Sequence, residues 1–215
     1  MALSLAWQAA NLFGVPWDEL TKGDVERFLA SASAVEDEGL TWEAKAGQIK
    51  PQHIHKAVSA FANSVLGGYL ILGADRSDRG QPWTLPGCEI RGAEPRTWIA
   101  QAARDLIGAP IVDVHAWHAG GGQWVAVVAI PPSAVPPVIA PTGVVYERVV
   151  GSSPPIKDPV RLAEVFARGE AARERAKAIA ARYNSLIQLR ASVAVPFRQG
   201  WLSDACPFSL CFAHH

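Results

Sequence analysis

Between Gly68 and Asp75 the chain reads GYLILGAD, and Tyr69 to Leu72 leave neither face of a strand polar. A strand of that kind belongs inside a sheet that is covered on both sides. Upstream, Leu40-Thr41-Trp42-Glu43-Ala44-Lys45 alternates well enough for a short strand, with Glu43 and Lys45 on one side. The spacing predicts a helix from about Gln52 to Ser64 between the two strands, opening near Pro51, which suits a first turn. Its apolar stripe is Ile54, Ala57, Val58, Phe61 and Val65, and Gly67-Gly68 supplies the left-handed stop. Ligands collect where strands of such sheets end and loops begin. Asp75 is therefore expected at a functional edge, and the strand–helix–strand unit can bring Glu38, Glu43, Lys45 and Asp75 to one spot.

The rest of the chain supplies further elements. Residues 1–35 read as a helical extension, with Asp24 capping or beginning a short helix on Val25, Phe28 and Leu29. Arg76 to Gly92 is a Gly-, Pro- and charge-rich loop. In it Arg76, Arg79 and Trp83 could clamp a phosphate and stack on a base; the alternative is a solvated loop with Trp83 tucked against the core. A helix is expected from Glu94 to Ile107, with Pro95 at its start. A hairpin of IVDVHAW and WVAVVAIP follows, turning at Gly120–Gly122. Its His115 and His118 fall on opposite faces and cannot easily share a metal. Val144–Val149 reads as another strand, with Tyr146 and Arg148 on one face, and Pro159 opens a long terminal helix. The expected fold is mixed α/β: a mostly antiparallel sheet of about four to six strands, flanked by helices.

Several of these blocks, in this order, resemble the Schlafen-type AlbA-like domain. They are E-G-L-T-W-E-A-K, then A-F-A-N-S, then G-G-Y-L-I-L-G-A-D, and later V-Y-E-R-V-V-G-S-S from Val145 to Ser153. The resemblance covers residues 36–168, leaving 1–35 as an N-terminal extension and 169–215 as a C-terminal helix and tail. Ala44 stands where the family usually has Phe, and the gap from Asn63 to Gly67 is one residue longer than usual. Family members that carry the carboxylate trio cut structured RNA, tRNA among it. By resemblance, Glu38, Glu43 and Asp75 are the catalytic and metal-ligating residues, and Arg148 matches the arginine of a strand near the nucleic-acid-facing side.

The chemistry agrees with that implication. Hydrolysing a phosphodiester needs an activated water, neutralised phosphoryl oxygens and help for the leaving group. Mg²⁺ or Mn²⁺ held by hard carboxylates supplies all three. Lys45 could meet a phosphate as a point charge, with Arg76, Arg148 and Ser152 as further nucleic-acid contacts, Ser152 through the Gly151-Ser152-Ser153 turn. The partner is then RNA or DNA, and two copies could be needed to clamp a duplex. Two alternatives stay open. One is a non-catalytic DNA-binding or nucleotide (ATP)-binding regulator, in which Asn63 and the glycines take a nucleotide. The other is an interaction domain whose acidic residues are only surface. No Walker A motif follows Gly67-Gly68, which disfavours a P-loop ATPase, and no helix-turn-helix with a basic recognition helix stands out.

Charge and cysteine usage narrow the setting. Lys+Arg and Asp+Glu balance at 20 each. Residues 1–90 hold 7 basic and 11 acidic side chains, a net −4, and the remainder 13 and 9, a net +4. A basic second half could contact phosphates around an acidic site. Cys88, Cys206 and Cys211 are odd in number and lack CxxC spacing, which fits a reducing compartment and no thiolate metal site. The apolar run from Trp124 to Ala140 is broken by four prolines, and the first residues lack a basic leader, so no membrane span is expected and a cytoplasmic location is.

Overall fold

The computed structural model describes residues 12–32, 38–78, 81–90 and 94–192, with side chains to residue 185. After a 3-10 turn at Trp17–Glu19, the chain forms α1 (Lys22–Ala32), β1 (Trp42–Lys45), β2 (Gly47–Ile49), α2 (Pro51–Asn63), β3 (Gly68–Leu72) and β4 (Cys88–Ile90). It continues through α3 (Pro95–Arg104), β5 (Asp113–Gly120), β6 (Gln123–Ile130) and α4 (Pro159–Ser192). The expected mixed sheet flanked by helices is what forms. Its order is β1-β3-β6-β4-β2, with β5 on β6. β1–β3 and β2–β4 are parallel, while β3–β6, β4–β6 and β5–β6 are antiparallel.

β3 holds the core together as its composition demands. Leu70 and Leu72 enter one apolar cluster with Ile54, Val58, Phe61 and Ile99 from α2 and α3. Tyr69 and Ile71 enter the other, with Val25 and Leu29 from α1 and Trp42 from β1. Each side chain buried this fully contributes about 1.5–3 kcal/mol. Two glycines then let the sheet change partners. Gly73 and Gly87 have φ of 92° and 93°, and Gly87 N–H donates to Gly73 O at 3.0 Å. A Cβ on Gly73 would stand 2.7 Å from the Trp124 carbonyl. β3 stops there and β4 takes its place beside β6.

The helices obey local rules. α1 starts with a capping box: Thr21 N–H donates to Asp24 Oδ2 at 2.9 Å, and Asp24 N–H returns to the Thr21 hydroxyl. Glu94 caps α3 by accepting from the Arg96 and Thr97 amides. Two expectations need correction. α2 ends at Asn63, so Gly67 (φ 66°) turns the chain into β3 rather than capping the helix. Val144–Val149 is no ladder-forming strand. It is an extended arm with isolated bridges at Val145, Tyr146 and Val149, because Pro141, Pro154 and Pro155 around it donate no backbone hydrogen bonds.

α2 binds that arm through buried polar groups. Asn63 donates to the Val138 and Tyr146 carbonyls at 3.0 Å each and accepts from Val138 N–H at 2.7 Å. Ser59 donates to Val138 O at 2.8 Å and accepts from Tyr146 N–H at 3.1 Å. Asn63 is thus a buried tie, not a group facing a nucleotide. His115 and His118 lie on separate faces, against Trp17 and Trp117 and against Trp124 respectively. Residues 1–174 and 175–215 form two compact units. In the second, residues 175–185 are helical and exposed throughout. No helix among the described residues is long and apolar enough to cross a membrane.

Candidate functional site

Glu43 is the second residue of β1, paired in register with Leu70, and only 2% exposed. A carboxylate at that depth persists only if its charge is met and its lone pairs are used. Arg148 Nη1 and Ser153 Oγ each donate to Oε2 at 2.7 Å, and Lys45 Nζ lies 2.8 Å from Oε1. The Arg148 side chain is fully buried. Its Nε and Nη2 donate to Gly39 O at 3.1 and 2.9 Å, Nη2 also reaches Trp42 O, and its guanidinium lies 5.2 Å from the Phe61 ring centre. The arm carrying Arg148 is thereby stapled to the entry of β1. Glu38 completes the cluster: its Oε1 accepts Ala44 N–H at 2.8 Å, and its Oε2 stands 3.7 Å from Arg148 Nη2.

The two carboxylates are driven apart in pKa. Burial raises Glu38 above the usual range, with the neighbouring Glu43 charge adding to it, against the Ala44 amide, Lys45 and Arg148. Burial also pushes Glu43 upward, but Lys45, Ser153 and Arg148 together outweigh it and hold Glu43 below the usual range. Burial, followed by the fields of Lys45, Lys50 and Lys56, lowers His53 at the start of α2. Burial takes the Cys88 thiol up to about 12, so it is an inert core thiol.

The expected site residues separate into groups. Glu38, Glu43 and Lys45 come together. Asp75 does not join them: it is exposed and pairs through its backbone with Thr84. It lies beyond the end of β3 at Leu72, past the turn at Gly73. Arg148 faces Glu43 and not the surface, because a guanidinium opposite a buried carboxylate has no reason to leave it. Ser152 is exposed, and the hydroxyl that meets Glu43 belongs to Ser153. The sequence offered two adjacent serines with nothing to rank them. Arg76 lies 4.6 Å over the Trp83 ring, and Trp83 packs on Trp42 as a partly buried member of the core. Arg79 lies outside the described residues. The acidic residues Glu38 and Glu43 are not a surface cluster, which removes the ground for a purely acidic interaction face.

The donor set can be tested against the expected Mg²⁺ or Mn²⁺. Glu43 Oε2 already accepts two hydrogen bonds, and Oε1 has an ammonium against it. Of the two lone-pair sites left on Oε1, one already meets that ammonium. Among the described residues no group of three or more His, Cys, Asp or Glu side chains is arranged to hold a metal ion. In this arrangement the trio does not fit one.

A curled mixed sheet with helices on both faces, closed over a buried Glu–Arg–Ser cluster, defines a small α/β domain of AlbA_2 type. The chain belongs to the Schlafen AlbA_2 family, whose profile matches residues 38–157. That span includes every residue of the cluster. No curated protein matches the chain. Two solved structures are similar. The DIP2311 protein from Corynebacterium diphtheriae is 18% identical with a TM-score of 0.42, over 60% of this chain and 28% of that one. The N-terminal domain of a RecG-related protein from Nitrosomonas europaea is 24% identical with a TM-score of 0.40, over 59% of this chain and 88% of that one. This chain thus matches under a third of the Corynebacterium protein.

Proposed function

We propose that this protein binds nucleic acid through the Schlafen AlbA_2 domain, acting on it as a binding module. Family membership supports the nucleic-acid part of the reading. One observation supports the binding part: Glu43, Arg148 and Ser153 satisfy one another internally. Such a cluster is a rigid scaffold, and what it leaves for an outside ligand is cationic. Lys45 keeps a third of its side chain in solvent, and Arg76 rests on Trp83 near the end of β3. Metal-dependent cleavage of structured RNA is the finer form of the reading. It requires Lys45 to leave Glu43 and Asp75 to approach Glu38.

The test is binding of total tRNA and of a DNA hairpin across a salt series, with Mn²⁺ and with EDTA, beside Glu38→Gln. Glu38 suits this role better than Glu43, because Glu43→Gln would also strand the buried Arg148 charge. Binding that weakens with salt and is equal in both proteins and both metal conditions is the expected result. Cutting that needs Mn²⁺ and disappears in Glu38→Gln would establish the nuclease form. Absence of binding to either nucleic acid at low salt would sink the proposal.

A further inference from the structure

Of the residues first expected to touch phosphate, Arg148 is taken up by Glu43, while Lys45 stands with further cations at the start of α2. β1 ends at Lys45, the chain turns at Gly47 (φ 70°), and after the three residues of β2 it enters α2 through Lys50 and Pro51. Lys45 thus lies five residues before Lys50, and its charge reaches His53 in the first turn of α2. His53 lies in the first turn: its backbone N–H donates to Lys50 O at 2.9 Å, and its Nδ1 accepts Lys50 N–H at 3.3 Å. Lys56 follows three residues later on the same helical face. Among the described residues neither Lys50 nor Lys56 has an acidic partner, and Glu43, the carboxylate that faces this group, already pairs with Lys45 and Arg148. Aligned peptide dipoles add partial positive charge at the same helix end.

We infer that Lys45, Lys50, His53 and Lys56 form the phosphate-contact platform of this domain, taking the phosphodiester backbone of a nucleic acid at the N-terminal end of α2. The inference rests on the nucleic-acid reading above and gives it a location. Because Nδ1 accepts the Lys50 amide, the neutral imidazole carries its proton on Nε2, where it can donate to a phosphate oxygen. Three ammonium groups around one imidazole repel one another in the free protein, and an anion removes that repulsion. Their field shows in His53, whose protonated form is disfavoured by burial and by Lys45, Lys50 and Lys56, with only Glu43 acting in its favour. A phosphodiester among them would reverse the sign of that field.

The experiment compares wild type, Lys50→Glu/Lys56→Glu and a control, Arg173→Glu/Arg182→Glu on exposed α4, for affinity to the DNA hairpin across a series from about 50 to 300 mM salt. The platform variant should bind at least about tenfold more weakly, and the slope of log K against log salt should fall by about 1.8, two contacts at ~0.9 each. The control should keep affinity and slope. The His53 ring resonance, titrated by NMR in wild type with and without the hairpin, should show a raised pKa in the complex. A platform variant that binds like wild type, or a His53 pKa unmoved by saturating hairpin, would overturn the inference while leaving nucleic-acid binding intact. If wild type binds no hairpin, the broader reading falls first and the platform with it.

Discussion

Arg148 carries its guanidinium into a fully buried position and meets Glu43, Ser153 and the carbonyls of Gly39 and Trp42 there. Removing Arg148 strips Glu43 of its buried counter-ion and leaves only the part-exposed Lys45 ammonium, which costs on the order of 3 kcal/mol. Arg148→Met should therefore lower unfolding stability by that order in urea titrations. Glu43→Leu/Arg148→Met should recover most of the loss, since neither charge is then stranded; a double variant as unstable as the sum of the singles would refute the pairing. The pH dependence follows from the opposed shifts. Glu43 is depressed, so its stabilisation is complete above the ordinary carboxylate value of about 4.5 and drains as pH falls through its lower folded value. Glu38 is raised, so the unfolded chain loses that proton first, and stability falls as pH climbs from about 4.5 to the higher folded value. Glu38→Gln should consequently match or exceed wild-type stability at pH 7 and lose that advantage near pH 4. A variant hurt more at pH 7 than at pH 4 would contradict this assignment. The pairing of these residues is invisible in sequence, because 105 positions separate Glu43 from Arg148.

At the scale of elements, close approaches decide what local propensity cannot. Gly169 lies inside α4, where alanine normally stabilises by about 1 kcal/mol. Here a Cβ would collide with the carbonyl of Pro136, on the segment that Asn63 and Ser59 tie down. Gly169→Ala is expected to lower the melting temperature despite its better helix propensity, and a rise in melting temperature would refute the packing. Asn63→Ala probes the same seam from α2. It leaves the Val138 amide without its side-chain acceptor and the Tyr146 carbonyl without its side-chain donor, while Ser59 still serves the Val138 carbonyl, and a stranded buried group costs about 1–3 kcal/mol. A loss under about 1 kcal/mol would show that the arm is held by other means. The elements themselves were largely legible: α2, β1, β3 and the β5–β6 hairpin follow apolar periodicity and turn residues. Val144–Val149 was not, because extended backbone reads the same whether or not a neighbouring strand lies within reach.

For the whole molecule, every buried apolar side chain among the described residues lies in the first compact unit, Val165 being the last of them. A chain ending at Glu174 should therefore melt as cooperatively as the full chain; loss of the transition would show that residues 175–215 help form the core. From the sequence alone follow the packing of helices on a mixed sheet around a two-faced central strand and the Schlafen AlbA_2 blocks, Glu38, Glu43 and Lys45 among them. Those are consequences of hydrophobic period and short-range spacing, which act within a few residues. Long-range packing, by contrast, turns Arg148 inward to Glu43, seats Ser153 and not Ser152 beside it, leaves Asp75 beyond Gly73, and brings the charges of Lys45, Lys50 and Lys56 to bear on His53. Burial is the reason: a charge in the interior must find its counter-charge wherever the fold brings one, and the identity of that partner is set by packing between segments far apart in the chain.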